Sequence, residues 1–249
     1  EEDIDRARLL LEAGCDFLVV DIAHGHSHQL GNFVGNLKKK FPRVELIAGN
    51  IATSQGVHFL AKLGVSGIKV GIGPGSACTT RIVTGFGVPQ LSAILDCAQV
   101  AKKYGLPVIA DGGIDSSGAL VKALAAGAST VMLGNLLAGC DESPGKTVVK
   151  EGQKFKLYRG MASTEATRDR FQKSVWDPSS YKSVSEGVAG LVSYKGPVSE
   201  VVGKLMGGLR SGISYGGAKD IPGLQKNAEF IEITPAGWRE SLPHDLLSL

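Results

Sequence analysis

Cysteine is scarce, with four residues in a chain of 249. Cys15, Cys78, Cys97 and Cys140 form no CxxC pair and stand too far apart for a zinc site. So few thiols in so long a chain indicate a reducing compartment, and the expected setting is the cytoplasm. Long apolar runs are missing too. None reaches the roughly 18 residues that a membrane-spanning helix needs. The acidic, helix-patterned stretch 1–14 is no secretory signal. Excess charge of one sign is also lacking. The net charge of +3 is small and spread out, which argues against a nucleic-acid partner and leaves only local basic pockets for phosphate. No GxGxxG follows the first apolar run, which speaks against a Rossmann sheet.

Glycine is abundant, at 34 residues, against ordinary globular values of 43% hydrophobic and 20% charged residues. Much of it lies at the ends of short apolar runs, where a chain turns or approaches a ligand. Those runs read as strands: "DFLVVDI" (16–22), "VELIAGN" (44–50), "SGIKVGI" (66–72), "LPVIADGG" (106–113), "STVMLGN" (129–135) and, more weakly, "KLYRGM" (156–161). Between them lie 27–41, 53–64, 89–105 and 116–127. The last three have apolar residues at helical spacing and end in glycine. Apolar strands joined by helices predict a parallel sheet buried on both faces. The repeat of roughly 20–25 residues suits a (β/α)8 TIM barrel.

Six strands are two short of a barrel. The expectation is one barrel domain over 1–249 whose first two strands lie outside this chain. After Met161 the stretch 162–187 is polar and without period, and is expected to be a mobile flap at about 162–186. Residues 196–218 read as a final helix. The tail at about 228–249 reads as extended.

Asp21, Asn50, Gly71, Asp111, Asn135 and Gly160 all fall at the C-terminal ends of the strand candidates, where barrels place ligands. Cys78 follows the third run in "KVGIGPGSACTTRIVTG" (69–85). It is either a small buried thiol or a nucleophile. Its glycine, serine and threonine neighbours favour the nucleophile, and nearby donors and Arg81 could hold it as a thiolate. "ADGGI" and "MLGN" are turns whose amides suit phosphate, and Asp111 suits a ribose diol. Cys140 reads as structural. His24, His26 and His28 alternate after Asp21, yet no carboxylate stands at a metal-supporting spacing. A thiol redox protein would need a resolving cysteine near Cys78. A purely regulatory nucleotide-binding protein would have lost the nucleophile, and here Cys78 and Thr80 are both present.

Taken together, "VVDIAHGHS", "IAGNIAT", "KVGIGPGSACTTRIVTGFGVPQLSAI", "VIADGGI", "ALAAGASTVMLGNLLAGCDESPG", "YRGMAS", "EGVAGLVSYKGPV" and "GGLRSGISYGGA" resemble the IMP dehydrogenase/GMP reductase family, in order and over nearly the whole chain. The resemblance implies a (β/α)8 barrel, commonly tetrameric, acting at C2 of a purine nucleoside monophosphate. Many members insert a CBS pair after the second strand, and no such pair is expected in these residues. Cys78 would attack C2, and Thr80 would assist the group entering or leaving. Ser76, Gly112, Gly113, Gly134, Asn135 and Tyr158 would hold the phosphate, although the family usually has serine where Asn135 stands. Asp111 would hold the ribose. Gly160, Met161 and Glu186 would line the base, and Asp21, Asn50 and Gly71 would face the nicotinamide of NAD (NADPH in a reductase). Carbonyls of Gly73, Gly75 and Cys78 would bind potassium, completed by Glu240 and Ser241 of a neighbouring subunit in a homotetramer.

Two reactions stay open. A dehydrogenase oxidises IMP with NAD to XMP, using an Arg-Tyr pair on the flap, for which Arg170 and Phe171 are the nearest match. A reductase converts GMP to IMP and ammonia, and commonly has glutamate directly after the serine matching Ser163, where this chain has Thr164 and then Glu165. The "SYKGPV" and "ESLPHD" segments favour the dehydrogenase. A catalytically altered homologue is the third possibility.

Overall fold

The computed structural model describes residues 2–172 and 184–243. Helix α1 (Glu2–Glu12) leads into a parallel sheet of five strands: β1 (Phe17–Asp21), β2 (Glu45–Ile51), β3 (Gly67–Val70), β4 (Val108–Asp111) and β5 (Thr130–Met132). The strands lie side by side in chain order. The crossovers are α2 (His28–Lys40), α3 (Ser54–Lys62), the short α4 (Thr80–Thr84) followed by α5 (Gln90–Ala101), and α6 (Ser117–Ala125). Sequential parallel order with an outer ring of helices is the arrangement of a (β/α)8 barrel, whereas a doubly wound sheet reverses its order midway.

The local reasons are plain in the sequence. Leu46, Ala48, Ile68, Val70, Val108 and Ala110 are buried in the central strands. The helices turn Leu30, Val34 and Leu37, or Val57 and Leu60, or Ala93, Ile94 and Cys97, inward at helical spacing. Ser27, Thr53 and Ser116 cap α2, α3 and α6 by accepting from the amides of Leu30, Gly56 and Ala119.

The sixth strand candidate does not join this sheet. After β5 comes the single turn α7 (Asn135–Ala138), and then β6 (Thr147–Lys150) and β7 (Gln153–Arg159), which with β8 (Ala189–Ser193) make a separate antiparallel sheet. Residues 156–161 fall on and just after β7. Five strands of a barrel's eight are therefore described, not six. The composition carries the reason: three of the seven residues of β7 are cationic, Lys154, Lys156 and Arg159, too many for a strand buried on both faces of a parallel sheet.

Two further readings change. The start of the expected flap is helical, α8 (Thr164–Gln172), with Ser163 Oγ accepting from the Ala166 amide at 3.2 Å. The long helix read at 196–218 is α9 (Val198–Tyr215), followed by α10 (Ile221–Asn227), and the tail read as extended from about 228 contains α11 (Pro235–Glu240). Both start with a capping side chain, Asp220 or Thr234, and proline in the first turn, a signature that was legible in the sequence. Among the described residues no helix is long and apolar enough to cross a membrane.

Candidate active site at the C-terminal ends of the strands

The loop after β3 carries Cys78. Its amide donates to the Gly75 carbonyl at 3.0 Å, closing a tight turn that leaves the thiol half-buried. Cys78 Sγ donates to Thr80 Oγ1 at 3.2 Å, and Thr80 Oγ1 donates to Glu186 Oε2 at 2.8 Å. A thiol, a hydroxyl and a carboxylate thus stand in line, with the hydroxyl able to pass a proton between its neighbours. The main chain holds this line in register. The Thr79 amide donates to the Glu186 carbonyl at 2.8 Å, and the Val188 amide to the Ala77 carbonyl at 3.0 Å. Gly160 is part of the same packing, because a Cβ there would lie 2.7 Å from the Ala77 oxygen. Glu186, expected only to line the base, is the terminal acceptor of this chain.

Beneath the loop lies a polar floor that the motifs did not disclose. Lys69, in the middle of β3, is only 2% exposed, and its Nζ pairs with Asp21 Oδ1 at 3.0 Å and with Asp111 Oδ2. Asn50 Nδ2 donates to Asp111 Oδ2 at 2.9 Å and to the Gly71 carbonyl at 2.7 Å. Gln90 Nε2 donates to the carbonyls of Val70, at 2.9 Å, and Asp111, at 3.2 Å. Two carboxylates compensate the buried ammonium, which alone would be costly to bury. Asn50 Oδ1 and Gln90 Oε1 are buried without a partner. Buried acceptors left open call for a donor. Asp21, with its side chain 56% exposed, is the most open of the three charged groups of this floor. Sequence reading missed Lys69 and Gln90. The available signal was a lysine inside the apolar run "GIKV".

The phosphate candidates come together in two groups. Gly112 has φ of 89°, and a Cβ there would lie 2.8 Å from Pro74 Cγ, so the turn after β4 packs against the Cys78 loop that also exposes Ser76. Gly113 follows in the same left-handed region. Gly134 precedes the first residue of α7, Asn135, and a Cβ on Gly134 would lie 3.1 Å from the Tyr158 hydroxyl. Met161 stands 76% exposed beside the site.

Other candidates are not drawn in. Glu165 is exposed in the first turn of α8, and no hydrogen bond links it to the Cys78–Thr80–Glu186 line. The side chains of Arg170 and Phe171, and flap residues 173–183, lie outside the described residues. Arg81, expected to support a thiolate, instead donates to the carbonyls of Ile72 and Val88 and lies across Gly73 and Gly87, bracing the base of the loop. The Gly75 carbonyl already accepts from Cys78, and Gly73 has φ of 83°. Glu240 and Ser241 close α11 on the surface, with Ser241 Oγ donating to the Gly237 carbonyl at 3.0 Å. His26 packs on Phe59, ring centroids 4.9 Å apart. Cys97 and Cys140 are buried.

Comparison with known proteins follows the same outline. The family model described as IMP dehydrogenase / GMP reductase domain matches residues 1–244. The chain is 53% identical to inosine-5'-monophosphate dehydrogenase of Nitrosopumilus maritimus (strain SCM1), over 98% of this chain and 52% of that protein. It is 53% identical to the Aquifex aeolicus (strain VF5) protein of the same name, over 99% and 50%. For the Bacillus subtilis (strain 168) protein the identity is 49%, over 98% and 50%. Among solved structures, a cysteine-to-alanine variant of GMP reductase from Trypanosoma brucei, in complex with guanosine 5'-monophosphate, matches with a TM-score of 0.93 at 50% identity. It covers 99% of this chain and 51% of that one. The chain thus spans about half the length of the relatives it matches. With a family model over almost its full length and relatives at half identity, the chain belongs to the IMP dehydrogenase/GMP reductase family.

Proposed function

We propose that the protein is a purine nucleotide oxidoreductase acting at C2 through a covalent Cys78 intermediate, and that its reaction is the oxidation of IMP with NAD and water to XMP. The observation that carries this reading is the line Cys78, Thr80, Glu186. The names of the relatives at 49–53% identity support the dehydrogenase.

In this reading Ser76, the turns at Gly112, Gly113, Gly134 and Asn135, and Tyr158 hold the phosphate. Asp111 takes the ribose diol, aimed by Lys69 and Asn50. Gly160 and Met161 border the base. The Cys78 sulfur bonds to C2, and its proton leaves toward Thr80 and Glu186. Asp21, Asn50 and Gly71 would hold the nicotinamide, which when bound takes up the hydride leaving C2. Glu186 gives the thiol proton up to solvent before water adds to C2; a proton of that water then passes through Thr80 to Glu186 and back to the sulfur as the carbon–sulfur bond breaks, freeing XMP and the thiol. Arg170 is the candidate for positioning that water. The resemblance further implies potassium on the carbonyls of Gly73, Gly75 and Cys78, a homotetramer whose neighbour supplies Glu240 and Ser241, and a cytoplasmic setting.

The second reading is GMP reductase, favoured by the likeness to the Trypanosoma brucei enzyme with its bound GMP. NADPH would be the reductant, ammonia would be the group leaving C2, and Glu165 would be examined in place of Arg170. The test offers the full-length protein IMP with NAD, then GMP with NADPH, and follows absorbance at the nicotinamide band. NADH formed only with IMP is the expected result. NADPH consumed only with GMP selects the second reading, and silence in both assays overturns both.

A further inference from the structure

Lys156 is the one buried ammonium, among the described residues, that no carboxylate pairs with. It is 4% exposed, and its Nζ donates to three main-chain carbonyls: Cys140 at 2.7 Å, Asp141 at 3.2 Å, and Ser143. An ammonium has three N–H donors, and here all three are used. Three converging carbonyls are the surroundings that proteins otherwise give a dehydrated monovalent cation. We propose that Lys156 acts as a built-in monovalent cation that sets the position of the phosphate-holding turn, as a positioning residue for the site. This rests on the nucleotide reading above.

The placement carries the inference. The three carbonyls belong to the loop directly after α7, whose N-terminal residues Gly134 and Asn135 are the phosphate candidates. Lys156 lies on β7, two residues before Tyr158, so both side chains leave the same face of the strand. The Tyr158 hydroxyl reaches the space over Gly134. One ammonium thus ties the end of the α7 turn to the strand that brings Tyr158 against its beginning. The opposite side of the loop is tied as well. The Asp141 amide donates to the Gly196 carbonyl at 2.9 Å, and Lys195 Nζ donates to the Leu136 carbonyl at 3.1 Å. Without the Lys156 ammonium, three carbonyl dipoles face one another with nothing between them. The loop must then open, and Gly134 draws away from Tyr158.

The test uses Lys156→Ala in the full-length protein, which removes three carbons and the ammonium. IMP and inosine affinities are measured by calorimetry, alone and with added n-propylammonium or tetramethylammonium. Loss of a charge-assisted contact set predicts IMP binding weakened by about tenfold or more. Inosine binding stays as in the wild type, because the defect lies at the phosphate. Propylammonium restores IMP binding by refilling the cage, and tetramethylammonium, which has no N–H, does not. Equal loss for IMP and inosine, no loss at all, or equal rescue by both cations overturns the assignment. If Lys156→Ala does not fold, Lys156→Arg serves. Its planar fork keeps the charge but cannot aim three donors at three carbonyls, so a folded variant with wild-type IMP affinity overturns the assignment. Wild-type protein that binds neither IMP nor GMP removes the proposed function and this inference with it. Wild-type binding with an unaffected variant removes this inference alone.

Discussion

Thr80 and Glu186 stand 106 residues apart in the chain and share a hydrogen bond of 2.8 Å. The threonine hydroxyl accepts from the Cys78 thiol at 3.2 Å and donates to the carboxylate, so it has one direction in which to pass a proton. The carboxylate is held there by main-chain bonds between 77–79 and 186–188, not by its side chain alone.

Cys78→Ala removes the nucleophile and leaves the polar floor intact. Turnover is expected to fall by about 10⁴-fold or more, with nucleotide affinity nearly unchanged. Steady-state kinetics and calorimetry on one preparation check it, and retained turnover would end the covalent mechanism.

Glu186→Gln keeps the hydrogen bond but cannot accept the proton that Thr80 passes on. The expected fall in kcat is about 10²-fold. Stopped-flow absorbance should show the first burst of NADH slowed as well, because the thiol proton leaves along the same line. A burst at the wild-type rate would confine Glu186 to the water step.

Lys69→Met leaves Asp21 and Asp111 facing each other without their shared cation. The expected cost is about 1–3 kcal/mol, below that of a fully buried pair because the Asp21 side chain is 56% exposed. A lower urea midpoint at unchanged m-value measures it, and nucleotide affinity should weaken in parallel. An unchanged midpoint would show that the desolvation of Lys69 cancels its two pairings.

Burial, with Asp96 adding to it, pushes the Cys97 thiol up from 9.0 to about 12. Below the unfolded value both states keep the proton, and stability does not depend on it. As pH rises from about 9 to about 12 the unfolded chain loses this proton while the folded chain keeps it, so the unfolded state gains and stability falls. Urea midpoints across that range should decline less steeply in Cys97→Ala. An identical decline in the variant would remove Cys97 as the cause. Thiol labelling near neutral pH should modify exposed Cys15 first and reach Cys97 and Cys140 only on unfolding.

Much was legible beforehand wherever the information was local. The apolar runs at 44–50 and 66–72 announced β2 and β3, and the helical spacing ending in glycine at 53–64, 89–105 and 116–127 announced α3, α5 and α6. The glycine-rich loop announced Cys78. What failed was equally physical. The run 156–161 is strand-like whatever it pairs with, and only partners from 147–150 and 189–193 make it antiparallel. Glu165, the glutamate weighed for a reductase, is exposed on α8, and Arg81 spends its donors on the loop's own carbonyls.

The sequence by itself determined the alternating βα plan, the family and the loop that carries Cys78, because periodicity, glycine stops and motifs act over a few residues. The tertiary structure alone decided that Glu186 completes the Cys78–Thr80 line, that Lys69 sits between Asp21 and Asp111, and that Lys156 closes a ring of carbonyls. Each joins groups many residues apart, and a buried charge or hydroxyl takes its meaning from the partners that folding brings to it.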